Sequence, residues 1–551
     1  MKKRMTALLL LAVMSLSLVL AGCEPDSPAP SSGSSGSAPA ASGTPDSGNT
    51  GSGSTTSEPK TLTIAMVNDV ISMDPAAKDS GTEMGLNAHL YDPLVDYDVD
   101  LSLKPGLAES WSLLDDGLTW QFKLRKGVKF SNGNDFNADD VVFSFERILN
   151  DPALEMGVYL GRLDHLEKVD DYTVNLITKY HYPVFVNSLK HIMMLDKETC
   201  EGLTSEEVSA NPVGTGRYLL EEHVKESTIK LVRNDNYWGE LPEAERVEFR
   251  VIANATTRTA ALLNGEVDFI NNVPVMDVDR LSANDNIQII TNPSLSCSYM
   301  GFDLGHETGS VGTDDPNPLK NVKVRQAIYH AINIDEIISK IMNGYATPAI
   351  SYMPDICVGF DPNAERLSYD PELAKQLLAE AGYPDGFYLR VDSRSDGEEN
   401  NDQVAQAIAS YLEKIGIRTE VNLMPRATFF EKVNPENLQS SFFMARWGDS
   451  SGEGMVILND MVYTYNGKPN LGEGNKGLYS NPEVDALLDQ ASTEPDQAKR
   501  AELVKKVDAI TREEAVYIPL FFKENIFGVR NGLAYTPSAD DHILAWDFKF
   551  E

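Results

Sequence analysis

Two stretches near the start of the chain place apolar side chains at every second position. They are TLTIAMVND at 61–69 and LTWQFKL at 118–124, and the second lies between the turn sequences DDG at 115–117 and SNG at 131–133. A period of two is typical of a half-buried strand, and Gly beside Asp or Asn is typical of tight turns. The pattern predicts a first strand at 61 and a hairpin around 118–124.

Helical periodicity is clearest in two places. A helix is predicted from Asn137, because two aspartates fall in its first turn and apolar residues then recur on one face. A second helix is predicted in YDPELAKQLLAEAGYPDGF at 369–387, where Asp370 is the cap and Pro371 takes the first helical position. Gly382 ends that helix in the usual way.

The next segment alternates strand and helix. YLRVD at 388–392 reads as a strand, a polar loop follows at 393–402, apolar residues at helical spacing cover 404–415, and GIRTEVNLM at 416–424 reads as a second strand. This order predicts a parallel pair, and parallel sheets bind ligands at the carboxyl ends of their strands. The roughly 490 residues after Lys60 exceed one core, so we expect two or three domains.

The first residues predict export. Three basic residues precede an apolar run at 5–18, which ends in LAGC at 20–23. This stretch resembles the lipobox of bacterial lipoproteins, so residues 1–22 are expected to be a signal peptide and Cys23 the lipidated first residue. Residues 23–60 are then a disordered Ser/Gly/Pro tether on the outer face of a cell membrane, as in Gram-positive bacteria. An ordinary signal peptide and an uncleaved membrane helix are the alternatives.

The net charge limits the possible ligands, and the number of cysteines limits the possible disulfides. The formal net charge is −36, which excludes a general affinity for nucleic acid. Once Cys23 is lipidated, Cys200, Cys297 and Cys357 remain, so at most one disulfide can form. Neither HExxH spacing nor a phosphate loop is present in the sequence, and we expect no cofactor and no bound metal.

Seven stretches carry a family resemblance, in the family's own order. They are GLAESWSLLDDGLTWQFKLRKGVKFSNGNDFNADDVVFSFERI at 106–148, NPVGTGRY at 211–218, LVRNDNYWGE at 231–240, ALLNGEVDFI at 261–270, VRQAIYHAINIDEI at 324–337, the helix segment 369–387, and YSNPEVDALLDQA at 479–491. Together they resemble the family 5 extracellular solute-binding proteins, the peptide- and nickel-binding receptors of ABC importers.

The resemblance implies an α/β, two-lobed periplasmic-binding-protein-like fold of type II. Lobe I is expected at 61–98, 210–298 and 528–551, with an additional α/β domain inserted at 99–209. Lobe II is expected at 299–527. Two crossovers between the lobes form a hinge that closes over the ligand. An ABC permease in the membrane is the implied partner, and we expect a monomer.

The segment MARWGDSSGEG at 444–454 poses the main functional question. Its GDSSG differs by one residue from the nucleophile loop of chymotrypsin-like proteases, but none of the eight histidines lies in a matching context. In the peptide receptors that the chain resembles, an Asp beside a Trp binds the ligand's α-ammonium group. That role falls on Asp449, with Trp447 as a wall and Gly448 and Ser450 allowing close backbone approach. Alternatively, Asp449 caps a helix beginning at 451–453, and Glu453 is the second acidic candidate.

Other candidate ligand residues come from the same resemblance. Arg394 is expected to bind a peptide's carboxylate, the alternative being a solvated loop arginine. Tyr91, Thr82 and Glu83 are expected to face the cleft from lobe I. The predicted function is binding of small peptides without catalysis, with glutathione, a nickel chelate, an opine or an oligosaccharide as alternative ligands. A secreted hydrolase is the alternative from another class.

Overall fold

The computed structural model describes residues 59–308, 316–395, 400–468 and 471–551. The predicted signal peptide, Cys23 and nearly all of the predicted tether lie outside these ranges. Within them, the helices are all too short or too polar to cross a bilayer.

The β-strands of the described residues are distributed from Thr61 to Phe550. In chain order they are β1 (Thr61–Met66), β2 (Val95–Tyr97), β3 (Leu103–Pro105), β4 (Ala108–Leu113), β5 (Thr119–Leu124), β6 (Leu163–Asp170), β7 (Thr173–Thr178), β8 (Tyr218–Val224), β9 (Thr228–Arg233), β10 (Arg246–Val251), β11 (Phe269–Ile270), β12 (Ile287–Phe302), β13 (Ala346–Pro348), β14 (Tyr388–Arg394), β15 (Arg418–Met424), β16 (Phe442–Gly448), β17 (Tyr517–Arg530), β18 (Leu533–Tyr535) and β19 (Phe548–Phe550).

The α-helices concentrate in the second half. They are α1 (Gly81–Leu90), α2 (Ala138–Asn150), α3 (Lys197–Cys200), α4 (Ser205–Ala210), α5 (Ala255–Leu263), α6 (Val278–Ser282), α7 (Val322–Ala331), α8 (Ile334–Lys340), α9 (Pro371–Glu380), α10 (Asn401–Lys414), α11 (Arg426–Lys432), α12 (Gly454–Met461), α13 (Pro482–Thr493) and α14 (Gln497–Glu513).

Two long antiparallel strands, β12 and β17, form the centre of an 11-stranded sheet. On one side the sheet continues through β16, β14 and β15, and on the other through β11, β1, β10, β9 and β8, while the eleventh strand, β13, pairs with β17. The ladder between β12 and β17 is irregular between Pro293 and Cys297, where the chain passes from one half of the sheet to the other. Both connections between the halves are therefore neighbouring strands. The domain limits given above stay a prediction.

The local predictions are confirmed where side-chain chemistry fixes an element. Asn137 and Asp140 form a capping box at the start of α2, and Asp370 accepts a hydrogen bond from the Leu373 backbone N–H at the start of α9. The pair β14–β15, joined by α10, is parallel, with Tyr388 opposite Arg418.

A separate four-stranded antiparallel sheet lies within the predicted additional domain. Its order is β4-β5-β7-β6, so the predicted hairpin is present as β4–β5. Helix α2 packs on β6 and β7. The three cysteines of the described residues, Cys200, Cys297 and Cys357, are buried free thiols.

Candidate functional site

The turn after β16 forms one wall of a cavity of about 240 Å³. This wall belongs to the predicted lobe II, and the opposite wall comes from the predicted additional domain and the strand β2 before it. The lining residues are Tyr97, Val158, Tyr159, Arg162, Tyr182, Val184, Asn187, Ser188, His191, Gly448, Asp449, Ser450, Ser451 and Val456. The Asn187 side-chain amide donates to the Ser451 carbonyl oxygen at 3.1 Å, so a hydrogen bond joins the two walls.

Asp449 lies in this turn with its carboxylate held locally. Its Oδ1 accepts from the Ser451 backbone N–H at 2.8 Å and from the Ser451 hydroxyl. Burial raises the pKa of Asp449 above its ordinary value, and the hydrogen bonds from Ser451 oppose that rise. Among the residues that the structure describes, no basic side chain pairs with this carboxylate. The site thus holds a half-buried carboxylate that no basic side chain of the described residues neutralises.

The capping alternative for Asp449 is wrong. Helix α12 begins at Gly454 with Glu453 at its N-cap position, and no side chain caps it. The Asp449 carboxylate instead closes the turn that precedes the helix, with the Ser451 Oγ accepting from the Glu453 N–H at 3.2 Å.

Glu453 is placed differently from the second acidic candidate that the sequence predicted. Its carboxylate forms a two-point ion pair with Arg500, at 2.9 Å and 3.1 Å, and both side chains are almost fully buried. A carboxylate already neutralised by a buried guanidinium is not available to a ligand, so the structure corrects this prediction.

Trp447 does not line the cavity, which corrects its predicted role as a wall. Its ring packs against the large hydrophobic core, and its indole N–H donates to the Asp460 carboxylate. Gly448 and Ser450 do line the cavity. A side chain at Gly448 would collide with Ser296 on β12, because an added Cβ lies 2.8 Å from the Ser296 Cα.

Three tyrosines on the opposite wall were not predicted from the sequence. The Tyr97 hydroxyl donates to the Asn187 carbonyl oxygen at 2.9 Å, and the Tyr159 ring stacks on His191 with centroids 4.2 Å apart. The Tyr182 ring lies under the Arg162 guanidinium at 4.0 Å. Burial raises the pKa of each tyrosine, and the charge of Asp449 adds to the rise. The three rings therefore lie within the field of that carboxylate.

Arg394 lies neither in a solvated loop nor in this cavity. It is the last residue of β14, it is only 6% exposed, and its guanidinium lies 5.8 Å from the centre of the Phe430 ring. The solvated-loop alternative is therefore wrong. The predicted role at a ligand's carboxylate is not supported by proximity to Asp449, since the two residues share no cavity.

The three residues of lobe I that were expected to face the ligand cleft differ in their surroundings. Tyr91 is fully buried and donates its hydroxyl proton to the Met73 carbonyl oxygen at 3.1 Å. Glu83 is buried and accepts from the Ile71 N–H at 2.7 Å, so its carboxylate is bonded within the protein, whereas the Tyr91 ring lines a small cavity of about 40 Å³ beside Asp92 and Arg217. Thr82 lines a second cavity, of about 340 Å³, together with Asn68 and Asn271 at the carboxyl ends of the parallel strands β1 and β11.

A third and larger cavity lies beside the crossover in β12. It has a volume of about 780 Å³ and is mainly apolar, lined by residues that include Pro293, Leu295, Ile350, Ile356, Phe360 and Phe522. Within the described ranges, no cluster of His, Cys, Asp and Glu has the arrangement of a metal site.

Ser451 is not arranged for acyl transfer. The Ser451 hydroxyl donates to Asp449, while His191, in the same cavity, stacks on Tyr159. Burial lowers the pKa of His191 to about 3. A general base needs a pKa close to the operating pH, so this imidazole is poorly suited to activate a serine.

The family described as "Bacterial extracellular solute-binding proteins, family 5 Middle" matches residues 102–469. The chain belongs to this family. It is 30% identical over 470 residues to the glutathione-binding protein GsiB of Shigella flexneri serotype 5b, covering 84% of this chain and 88% of that protein.

Two solved structures of family 5 receptors are also similar. HbpA2 from Haemophilus parasuis superposes with a TM-score of 0.80 at 25% identity, over 89% of this chain and all of that one. DppA from Helicobacter pylori, an ABC transporter-associated binding protein in complex with the peptide STSA, gives a TM-score of 0.72 at 26% identity, over 89% and 98%. The predicted two-lobed α/β fold is thereby confirmed.

Proposed function

We propose that this family 5 protein is a receptor that captures small peptides outside the membrane and delivers them to an ABC permease. The observation that carries the proposal is Asp449, an anion without a basic partner among the described residues, which faces three tyrosine rings across a cavity. A peptide brings an α-ammonium group, and a cation removed from water needs an anionic partner.

The relatives support peptides as the ligand class. DppA from Helicobacter pylori was solved with a peptide, and GsiB is named for glutathione, itself a tripeptide with a free ammonium group. Glutathione is therefore the second candidate ligand for this chain. Among the described residues no contact favours a nickel chelate, an opine or an oligosaccharide, and the lowered pKa of the buried His191 makes it a poor base for the hydrolase alternative.

The decisive experiment is titration calorimetry of the body from residue 59 with free and N-acetylated di- to pentapeptides and with glutathione. We expect free peptides to bind and N-acetylation to weaken binding at least tenfold, because it removes the charge that Asp449 attracts. Equal binding of free and acetylated peptides contradicts the ammonium anchor. Binding of glutathione alone replaces the peptide proposal with the second candidate.

We also propose that Cys23 is lipidated and tethers the receptor to the outer face of the cell membrane, with residues 24–60 linking the lipid anchor to the rest of the chain. Two or more acyl chains are enough for stable anchoring. Metabolic labelling with an alkyne fatty acid should mark the wild-type protein. The matched variant Cys23→Ala should remain unlabelled and be released into the medium, whereas equal labelling of both contradicts the assignment.

A further inference from the structure

The hairpin β2–β3 contributes Tyr97 to the wall opposite Asp449 and ends in the turn 98–102. We propose that this hairpin is a latch that holds the two walls of the Asp449 cavity together through the side chain of Leu101, with or without a ligand between them. The inference goes beyond the proposed function, because it concerns the balance between open and closed conformations and applies to any class of ligand.

The first observation is the backbone conformation of Leu101. Its φ is +64°, in the left-handed region that residues with a side chain rarely adopt. Two hydrogen bonds close the turn: the Leu101 N–H donates to the Asp98 carbonyl oxygen at 2.9 Å, and the Asp98 N–H donates to the Ser102 carbonyl oxygen at 2.8 Å. Gly and Asn are the usual residues at such a position in a hairpin. A leucine in a strained position points to a function of its side chain.

The second observation is the burial of that side chain. Residues 98–100 and Ser102 of the turn are exposed, but Leu101 is only 6% exposed. Leu101 forms a small apolar cluster with Tyr97 and with Leu295, which lies in the irregular segment of β12 between the two halves of the large sheet. The tip of the hairpin is therefore packed on the crossover itself.

The third observation is a contact with the other wall. Gly452 follows Ser451 on the wall opposite the hairpin, and a Cβ added to Gly452 would lie 3.3 Å from the Cβ of Leu101. Beside this contact, the Asn187 amide donates to the Ser451 carbonyl oxygen at 3.1 Å, and the Tyr97 hydroxyl donates to the Asn187 carbonyl oxygen at 2.9 Å. The hairpin is thus joined to the other wall by one apolar contact and one chain of hydrogen bonds.

The contacts of the latch involve only groups of the protein. Separating the walls exposes the faces of Leu101 and Gly452 that pack together, and it breaks the hydrogen bond to Ser451. Because apolar surface is more stable when it is removed from water, these contacts favour the closed arrangement before a ligand enters. A ligand then binds a conformation that is already populated, and its own contacts shift the balance further.

The test measures the distance between two spin labels in the detergent-solubilised full chain, without added peptide. The labels are attached at the exposed positions Glu146→Cys on α2 and Ala379→Cys on α9, and Cys23→Ala leaves only the three buried thiols unlabelled. We expect the main population at the distance of the structure. Leu101→Gly, which keeps the turn, should raise the ratio of open to closed molecules about tenfold or more, because burial of a leucine side chain is worth at least that factor. The matched control Val99→Ala, at a position 57% exposed in the same turn, should leave the distances unchanged.

The latch is overturned if the labelled parent has no population at the distance of the structure, or if Leu101→Gly and Val99→Ala give the same distances. Gly452→Ala tests the contact from the other wall, because its Cβ crowds Leu101 and should also favour the open form. Its effect should be smaller in the Leu101→Gly background, and equal effects in both backgrounds contradict a direct contact.

A second variant keeps the test valid if Leu101→Gly lowers the unfolding temperature. Leu101→Asn also tolerates a positive φ but places a polar side chain at the contact, so it should open the protein as well. A closed Leu101→Asn variant overturns the latch. Because these distances are measured without a peptide, they can fail while the calorimetry supports the proposed function, and the reverse also holds.

Discussion

The turn 448–451 and the helix start at 453–454 are adjacent in sequence, yet their carboxylates serve opposite purposes. Asp449 in the turn has no basic partner among the described residues and faces a cavity. Glu453 at the helix start is buried and accepts hydrogen bonds from the Nε and Nη2 of Arg500. A carboxylate that supports the fold is neutralised within the protein, whereas one available to a ligand is left with its charge uncompensated.

The strongest test of this contrast is Glu453→Gln. Removing one partner of a buried ion pair leaves the Arg500 charge uncompensated, so we expect a loss of about 3–5 kcal/mol in the free energy of unfolding. Urea unfolding measures it. Asp449→Asn is the matched control and should not destabilise the fold, because burial already disfavours the ionised carboxylate. An unchanged unfolding curve for Glu453→Gln, together with weakened binding, would reverse the two roles.

Asp449→Asn should weaken the binding of peptides, whereas Glu453→Gln should lower the stability of the fold. Loss of one charge-assisted hydrogen bond costs about 1.5–3 kcal/mol, so we expect the dissociation constant for a bound free peptide to rise at least tenfold. Calorimetry measures it, with Ser450→Ala as the control in the same turn. Equal weakening by both variants would point to distortion of the turn rather than to loss of the charge.

The pH dependence of peptide binding should identify the Asp449 carboxylate as the group that binds the ammonium. The ammonium group stays charged at and below neutral pH, while Asp449 becomes neutral as the pH falls. Because burial raises the pKa of Asp449, affinity should begin to fall above the ordinary aspartate value of about 3.9 and be highest near neutral pH. The dissociation constant of Asp449→Asn should vary much less with pH. Identical pH profiles would assign the titration to another group.

The smallest expected effect comes from Ser451→Ala. The Ser451 hydroxyl donates to Asp449 and stabilises the ionised form, so its removal raises the pKa of Asp449 further. The acid limb of the binding profile should move to higher pH, while affinity near neutral pH changes less than about tenfold, consistent with one neutral hydrogen bond. A shift in the opposite direction would show that this hydroxyl does not act on Asp449.

The elements confirmed from the sequence are those fixed by local chemistry. The caps at Asn137 and Asp370 and the parallel pair β14–β15 follow from residues close together in the chain. Asp449 was placed beside a cavity only with help from the family resemblance. The opposite wall was missed because Tyr97, Arg162 and Tyr182 lie at strand ends and in loops, where no period identifies them.

Trp447 and Tyr91 were assigned to the ligand although their polar groups are bonded elsewhere. Each has a polar group that could have met a ligand, but each is bonded within the protein, Trp447 to Asp460 and Tyr91 to the Met73 carbonyl. These partners are distant in sequence or belong to the backbone, so composition and spacing give no sign of them. Only the packed structure shows which polar groups are already satisfied.

The pairing of β12 with β17 has a mechanical consequence. Both connections between the halves of the large sheet are hydrogen-bonded to each other on either side of the irregularity at 293–297. Neither strand can slide alone without breaking that ladder, so relative motion of the halves reduces to bending and twisting of one two-stranded ribbon. Any such motion would change the separation of Asp449 and the tyrosine wall, while the ribbon between the halves keeps the two strands in register.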